Sequence, residues 1–270
     1  MRIILSPKAK LPLNACRGSE AKRYKMADIM SKKLFNELSQ FSEDNCPVDE
    51  FKKAIDRVTF PHKINFTIEK ITQKEKNNNI IACLRKIINV TEKPDKSPKD
   101  VVIEGFRFIL PIKKDKIQAK IAALHETRHF FDHICNPKTT EFTSAKLHSK
   151  TDLADRKTRV HNLFVNTFDH NLDVEMIANS AKIHLDAMPD EIAINSLNGV
   201  RYNLKSELNA YKDEIKFLNK SKASNYEINQ VRALLKSAKF KEKLKIVNKL
   251  LEDRLLIARN NLKQSGGVQA

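Results

Sequence analysis

The sequence predicts an α+β chain, mostly helical, with a small antiparallel or mixed sheet beside one central helix. Three observations carry this. Only 5 Gly and 9 Pro punctuate 270 residues, so long stretches run without a breaker. In most of those stretches apolar residues recur at spacings of three and four, as from Arg201 to Asn219 and from Tyr226 to Leu262. Two segments alternate with period two instead: Ile64, Phe66 and Ile68, then Val102, Phe106, Phe108 and Leu110, with Glu104 the exception. A composition 41% apolar and 31% charged suits a globular protein of one large or two small domains.

Taken in order, residues 1–20 read as an irregular arm. Tyr24 to Phe41 places Met26, Ile29, Met30, Leu34 and Leu38 near helical spacing. Pro47 opens a second helix, with acidic residues in its first turn where they suit the helix dipole and Phe51, Ile55 and Val58 as its stripe. Lys63 to Ile71 is a strand. Ile80 to Val90 fits a helix through Ile80, Leu84, Ile87 and Ile88, and its β-branched content leaves a strand open. The polar, proline-containing run Thr91 to Asp100 is an exposed loop, followed by the strand Val101 to Ile112. Pro111 and the charged run after it turn the chain into the next helix, which Asn136-Pro137 ends. Lys138 to Asp155 reads as a loop or short helix. Helices follow over Arg156 to Asn171 and Leu172 to Leu185, with an interruption between Asp186 and Val200. Arg201 to Asn219 is helical, with Leu204, Leu208, Tyr211, Ile215 and Leu218 as its stripe. Tyr226 to Leu262 forms one long helix, or two broken near Lys239 to Lys241, and the tail SGGVQA is expected to be disordered.

The helix after the Val101 to Ile112 strand contains His125-Glu126-Thr127-Arg128-His129. Residues i and i+4 share a helix face, so the two imidazoles can meet one zinc ion, with Glu126 beside it as a general base. His133 adds a third imidazole on that face. It lies about 12 Å along the axis from His125, too far for one ion with ligand bonds near 2 Å. His133 and Asp132 therefore read as outer or helix-end groups, and Asp132 is placed to orient a ligand imidazole.

A strand, a short connection and then an HExxH helix resembles the zinc metallopeptidases called zincins. The three-histidine zincins use HExxHxxGxxH. Here Asp132 stands at the Gly position and Cys135 where the last His would be, so the likeness is to the gluzincins, whose third ligand is a glutamate on a later helix. That resemblance implies zinc held by His125, His129 and Glu207. Glu175 is the main rival to Glu207, and Glu191 a weaker one. Glu214, on the face of Glu207, is placed to hold a ligand His. Tyr202, Tyr211 and His184 are the candidates for oxyanion donor, and Tyr202 and Tyr211 read as catalytic residues beside Glu126. It also implies that the strand before the active helix has a free edge for an extended protein or peptide substrate. The domain layout expected is a helical region 1–60, a zincin-like core 61–219 and a basic helical extension 220–270. A catalytic core of this kind in an unusual helical frame is similar in character to bacterial effector proteases.

The formal charge is +17, which suits nucleic acid, an anionic surface or an acidic-surfaced protein. The basic residues are mostly Lys and widely spread, with no zinc finger, RNP-type aromatic pattern or GxxG loop, which disfavours nucleic acid. From residue 219 onward twelve Lys/Arg stand against four Asp/Glu, so the last helices can scaffold the core or engage an acidic partner. Cys16, Cys46, Cys83 and Cys135 form no CxxC pair and read as isolated reduced thiols. No run reaches the 18 apolar residues of a membrane span. The N-terminus lacks a secretory apolar core, so the expectation is a soluble chain, cytoplasmic or exported without a signal peptide. A basic binding protein with an incidental pentad, and a zinc site kept only for structure, are the alternatives of other classes.

Overall fold

Every other strand of the main sheet pairs with one central strand, β5 (Pro98–Leu110). The structure is a computed structural model that describes residues 2–11, 18–77, 80–92, 98–136, 152–167 and 173–266. Along one side of β5 lie β1 (Arg2–Leu5) and then β3 (Phe66–Lys70), both parallel to it. Along the other runs β4 (Cys83–Glu92), antiparallel. A second, minimal sheet joins β2 (Cys46–Pro47), β6 (Ile112–Lys113) and β7 (Lys116–Ile117). Its β6–β7 hairpin turns through Lys114 and Asp115, both at positive φ. The helices are α1 (Glu20–Leu38), α2 (Val48–Thr59), α3 (Gln73–Asn77), α4 (Lys120–Cys135), α5 (Asp152–Val165), α6 (Val174–Asp186), α7 (Asp190–Lys220), α8 (Asn225–Ser237) and α9 (Phe240–Gly266). The fold is thus α+β and mostly helical, as the spacing of apolar residues predicts.

Several local expectations change. Residues 2–5 are a strand, because β5 offers them a parallel partner from Asp100 to Ile103. Ile80 to Val90 does not form a helix: from Cys83 the chain is β4, its β-branched residues laid against β5. The expected loop at Thr91 to Asp100 narrows, since β4 runs to Glu92 and β5 starts at Pro98. The interruption between Asp186 and Val200 shrinks to a short turn, and Ile194 to Val200 is helical within α7. The chain around Lys116 is a strand, so the pentad helix begins only at Lys120. The Tyr226 to Leu262 stretch is two helices, separated by Ala238 and by Lys239 at φ 48. The expected disorder of the tail concerns residues mostly outside those described, as do most of the loop expected over 138–155 and the end of the Arg156 helix.

The alternation in β5 fails at Glu104 for a physical reason. Ile87 of β4 pairs with Gly105 and Ile88 with Ile103, so Glu104 is an extra residue on the β5 side. Such a bulge shifts which side chains point inward. Ile103 and Phe106 are therefore both buried, whereas Val102, expected on the inner face, is half-buried. Gly105 has a second use: a Cβ there would fall 2.4 Å from the carbonyl oxygen of Asn65, which accepts a hydrogen bond from the Phe106 N–H. The strand expected to offer a free edge is the central one. Among the described residues β1, β3 and β4 each pair only with β5, so their far edges, that of β4 among them, are the unpaired ones.

The chain forms two compact units, residues 1–137 with 209–228, and residues 138–208 with 229–270. In the first, α1, α2 and α4 pack with the sheet, so the helices of residues 1–60 share a unit with the pentad helix. Phe66, Phe106 and Phe108 meet Phe130 of α4 at ring-centroid distances of 5.8, 5.2 and 5.4 Å. Phe35 of α1 stacks on Phe217 at 4.4 Å. The junction of α1 and α4 is tied from both ends. The buried Lys120 ammonium donates to the carbonyls of Leu38 and Phe41, and the Ile121 N–H donates to Glu43 Oε1 at 2.8 Å. Each charge faces the helix end that it complements. In the second unit α5 and α6 pack together, as do α6 and α9. Buried Lys243 donates to the Thr167 carbonyl at 2.6 Å, and Arg254 pairs with Asp186 and Asp190.

Candidate metal centre

The apolar face of α4 fixes the direction of its polar face. Ile121, Leu124, Phe130, Phe131 and Ile134 are buried, while His125, Glu126 and His129 are half-buried one turn apart. The i, i+4 spacing brings the imidazoles together at 5.0 Å between ring centroids. One ligand atom from each of His125, Glu126 and His129 lies within 4.8 Å of the others. Two imidazoles and a carboxylate at that spacing form a donor set that zinc accepts, and the fit is not specific to zinc.

His125 is held from behind. Its Nδ1–H donates to Glu214 Oε2 at 3.0 Å, which leaves Nε2 as the lone-pair nitrogen for a metal. A carboxylate in that place fixes the tautomer and raises the basicity of the ligand. Tyr211, one turn before Glu214 on α7, sets its ring edge-on to His125 at 4.9 Å.

A buried ion network joins the two helices beside this contact. Arg128, 3% exposed, donates from Nη1 to Asp213 Oδ2 at 2.6 Å and from Nε to Asp132 Oδ1 at 3.2 Å. Lys216 donates to the other oxygen of Asp213 at 2.9 Å, and Asp28 of α1 lies 3.6 Å from Arg128. Burial works against the Arg128 charge, but Asp132 and Asp213 overcome it and hold the guanidinium further into its charged range. Asp132 thus pairs with Arg128, and Glu214 meets the His125 imidazole at 3.0 Å.

The β4 strand runs beside α4. Burial raises the Cys83 thiol, and the Glu126 charge adds to that rise. Burial likewise pushes Lys86 down to about 7. His133 stacks on Phe106 at 5.9 Å, and its pKa falls well below the usual histidine range through burial first, then the charges of Lys86 and His129. Cys135 is buried, with its sulfur 3.8 Å from that of Met30, in the contact between α1 and α4.

The structure therefore brings together His125, Glu126, His129 and Tyr211, with Glu214 behind. Glu207 lies two turns before Glu214 on α7, half-buried, and is not a member of the metal-capable group; nor is Glu175, exposed at the start of α6. Tyr202 belongs to the second unit and is 2% exposed, a core side chain. His184 is half-buried on α6, and Glu191 lies in the first turn of α7. The sequence reading missed Arg128 and Asp213. The i, i+4 spacing of Arg128 and Asp132 hinted at a pair, but the third member comes from 85 residues away.

Fold and site together define an α+β chain with a two-histidine, one-carboxylate group on a helix backed by a sheet. No family model, curated protein or solved structure matches this chain.

Proposed function

We propose that this protein is a zinc-dependent endopeptidase, with His125 and His129 holding the metal and Glu126 as general base. The observation that carries the proposal is the His125–Glu126–His129 group with His125 fixed through Nδ1 by Glu214. A bound zinc ion would supply a Lewis acid and lower the pKa of a water. Glu126 takes the proton of the attacking water and hands it to the leaving nitrogen. Glu214 keeps His125 in one tautomer throughout. Tyr211, against His125, is the proposed hydrogen-bond donor to the developing oxyanion. Glu207 is proposed as the further carboxylate ligand on the gluzincin likeness alone. The open edge of β4, beside α4, offers an extended substrate backbone partners for pairing.

Glu126→Gln separates this from a binding role. The change keeps shape and leaves the Glu214–His125 contact untouched. Zinc content should stay near one per chain while hydrolysis of a denatured protein mixture falls by roughly 10²–10⁴. Full hydrolytic activity in the variant would refute the assignment of Glu126.

A second reading has its own observation. Helix α9 is rich in Lys and exposes Leu255, Leu256 and Ile257 at 39%, 59% and 44%, which suits a non-catalytic protein that binds an acidic-surfaced partner. No described helix is long and apolar enough to cross a membrane. If that reading holds, Glu126→Gln leaves partner binding intact, and substitution of Leu256 and Ile257 by Ser abolishes it.

A further inference from the structure

We infer that Arg128, one of the two unspecified positions of the pentad, is a positioning residue for the metal centre, acting through Asp213 to hold Glu214 on His125. The inference rests on the metal reading of the trio. Its basis is a continuous chain of short contacts within one unit: Arg128 Nη1 to Asp213 Oδ2 at 2.6 Å, the peptide from Asp213 to Glu214, and Glu214 Oε2 to His125 Nδ1 at 3.0 Å. Arg128 stands one turn after His125 on the adjacent strip of α4, and like His125 it meets α7. Arg128, Asp132 and Asp213 are all buried, and charges so buried are costly unless each is paired in good geometry. Their mutual satisfaction therefore fixes one axial and rotational setting of α7 against α4.

That setting decides where Glu214 falls. Consecutive residues on a helix are separated by 100° and 1.5 Å of rise. With Asp213 locked on Arg128, the next residue is directed at the neighbouring strip of α4, where His125 stands one turn before Arg128. A slip of α7 by one residue would put Asp213 or Ile215 opposite His125 instead. Lys216 and Asp28 reinforce the same setting, Lys216 from the second oxygen of Asp213 and Asp28 from α1. A lysine at 128 keeps the charge but loses the planar fork that reaches two carboxylates at once.

The test uses full-length protein and two readouts. The first is the imidazole proton on Nδ1 of His125 in metal-free protein, followed by NMR. The second is zinc affinity, measured by competition with a chromogenic chelator. Wild type should show a protected Nδ1 proton on His125. Arg128→Lys should lose that protection and bind zinc about tenfold more weakly, at the low end of the effect of groups that orient a ligand. Glu214→Gln should weaken zinc binding at least as much, and the double variant should be no weaker than Glu214→Gln alone, because coupled residues give non-additive losses. Where Arg128→Lys does not fold, as judged by circular dichroism, Asp213→Asn carries the same test from the other end of the ion pair. A protected His125 proton and unchanged affinity in these variants would overturn the inference. So would losses that multiply in the double variant, since Arg128 would then act independently of Glu214. A wild type that shows the protected proton but binds no zinc removes the metal reading and leaves the positioning of His125 by Arg128 standing.

Discussion

Phe130→Ala tests whether α4 separates a core face from a metal face. Phe130 is fully buried and meets the rings of Phe66, Phe106, Phe108 and Phe131 at 5.8, 5.2, 5.4 and 5.5 Å. An aromatic side chain buries about 150–250 Å², worth roughly 4–6 kcal/mol at about 25 cal/mol per Å². Truncation to Ala keeps one carbon and lets neighbours relax in part, so the expected loss is about 3–5 kcal/mol. For a transition of this size each kcal/mol moves Tm by about 2–4 °C, which puts the drop at roughly 6–20 °C for the unit that contains α4. The assay is thermal and urea unfolding, with and without zinc. The imidazoles lie on the other face, so zinc should raise Tm by a similar increment in wild type and variant, near 2.7 kcal/mol at about 100 times Kd. A loss under about 1 kcal/mol would refute the packing argument. A variant that loses stability and the zinc increment together would show that core packing and metal geometry are one property of α4.

Two further outcomes are expected. Lys86 is pushed down to about 7 by burial, below its unfolded value. A base depressed in the folded state contributes stability that is complete above the unfolded pKa and is lost as pH falls through the folded one. Wild-type stability should therefore decline between the ordinary lysine range and about pH 7, whereas Lys86→Met should show a flatter profile and gain on the order of 1 kcal/mol at neutral pH; parallel urea-unfolding profiles across that window would remove the effect. Elemental analysis of Glu207→Gln and Glu175→Gln should show zinc lowered in the first and retained in the second, and equal content in both would strike Glu207 from the ligand set.

The pentad was legible because its chemistry is local: i and i+4 meet on any helix, and α4 needs only its own sequence to bring His125 and His129 together. Glu214 was legible as a carboxylate placed to hold a ligand His, and the packing of α7 on α4 decides that the imidazole it meets is that of His125. The Ile80 to Val90 stretch carries β-branched residues at spacings that also satisfy a helix, and only β5, a partner distant in sequence, decides it. Ile103 was hidden by the bulge at Glu104, since one extra residue inverts the period-two pattern on which strand reading depends. Of the Arg128 network only the i, i+4 pair with Asp132 was legible, because a buried charge is defined by what surrounds it and Asp213 comes from 85 residues away.

The unit that holds the pentad is built from two stretches of chain, residues 1–137 and 209–228. On a ribosome the pentad helix emerges long before Asp213 and Glu214, and residues 138–208 must be made in between. During that interval Arg128 has no Asp213 and His125 no Glu214, so the imidazoles exist without the contacts that orient them. Maturation of the centre is in this sense a late event of synthesis. A chain released before the latter part of α7 would carry the whole HExxH motif and none of the support that α7 gives it.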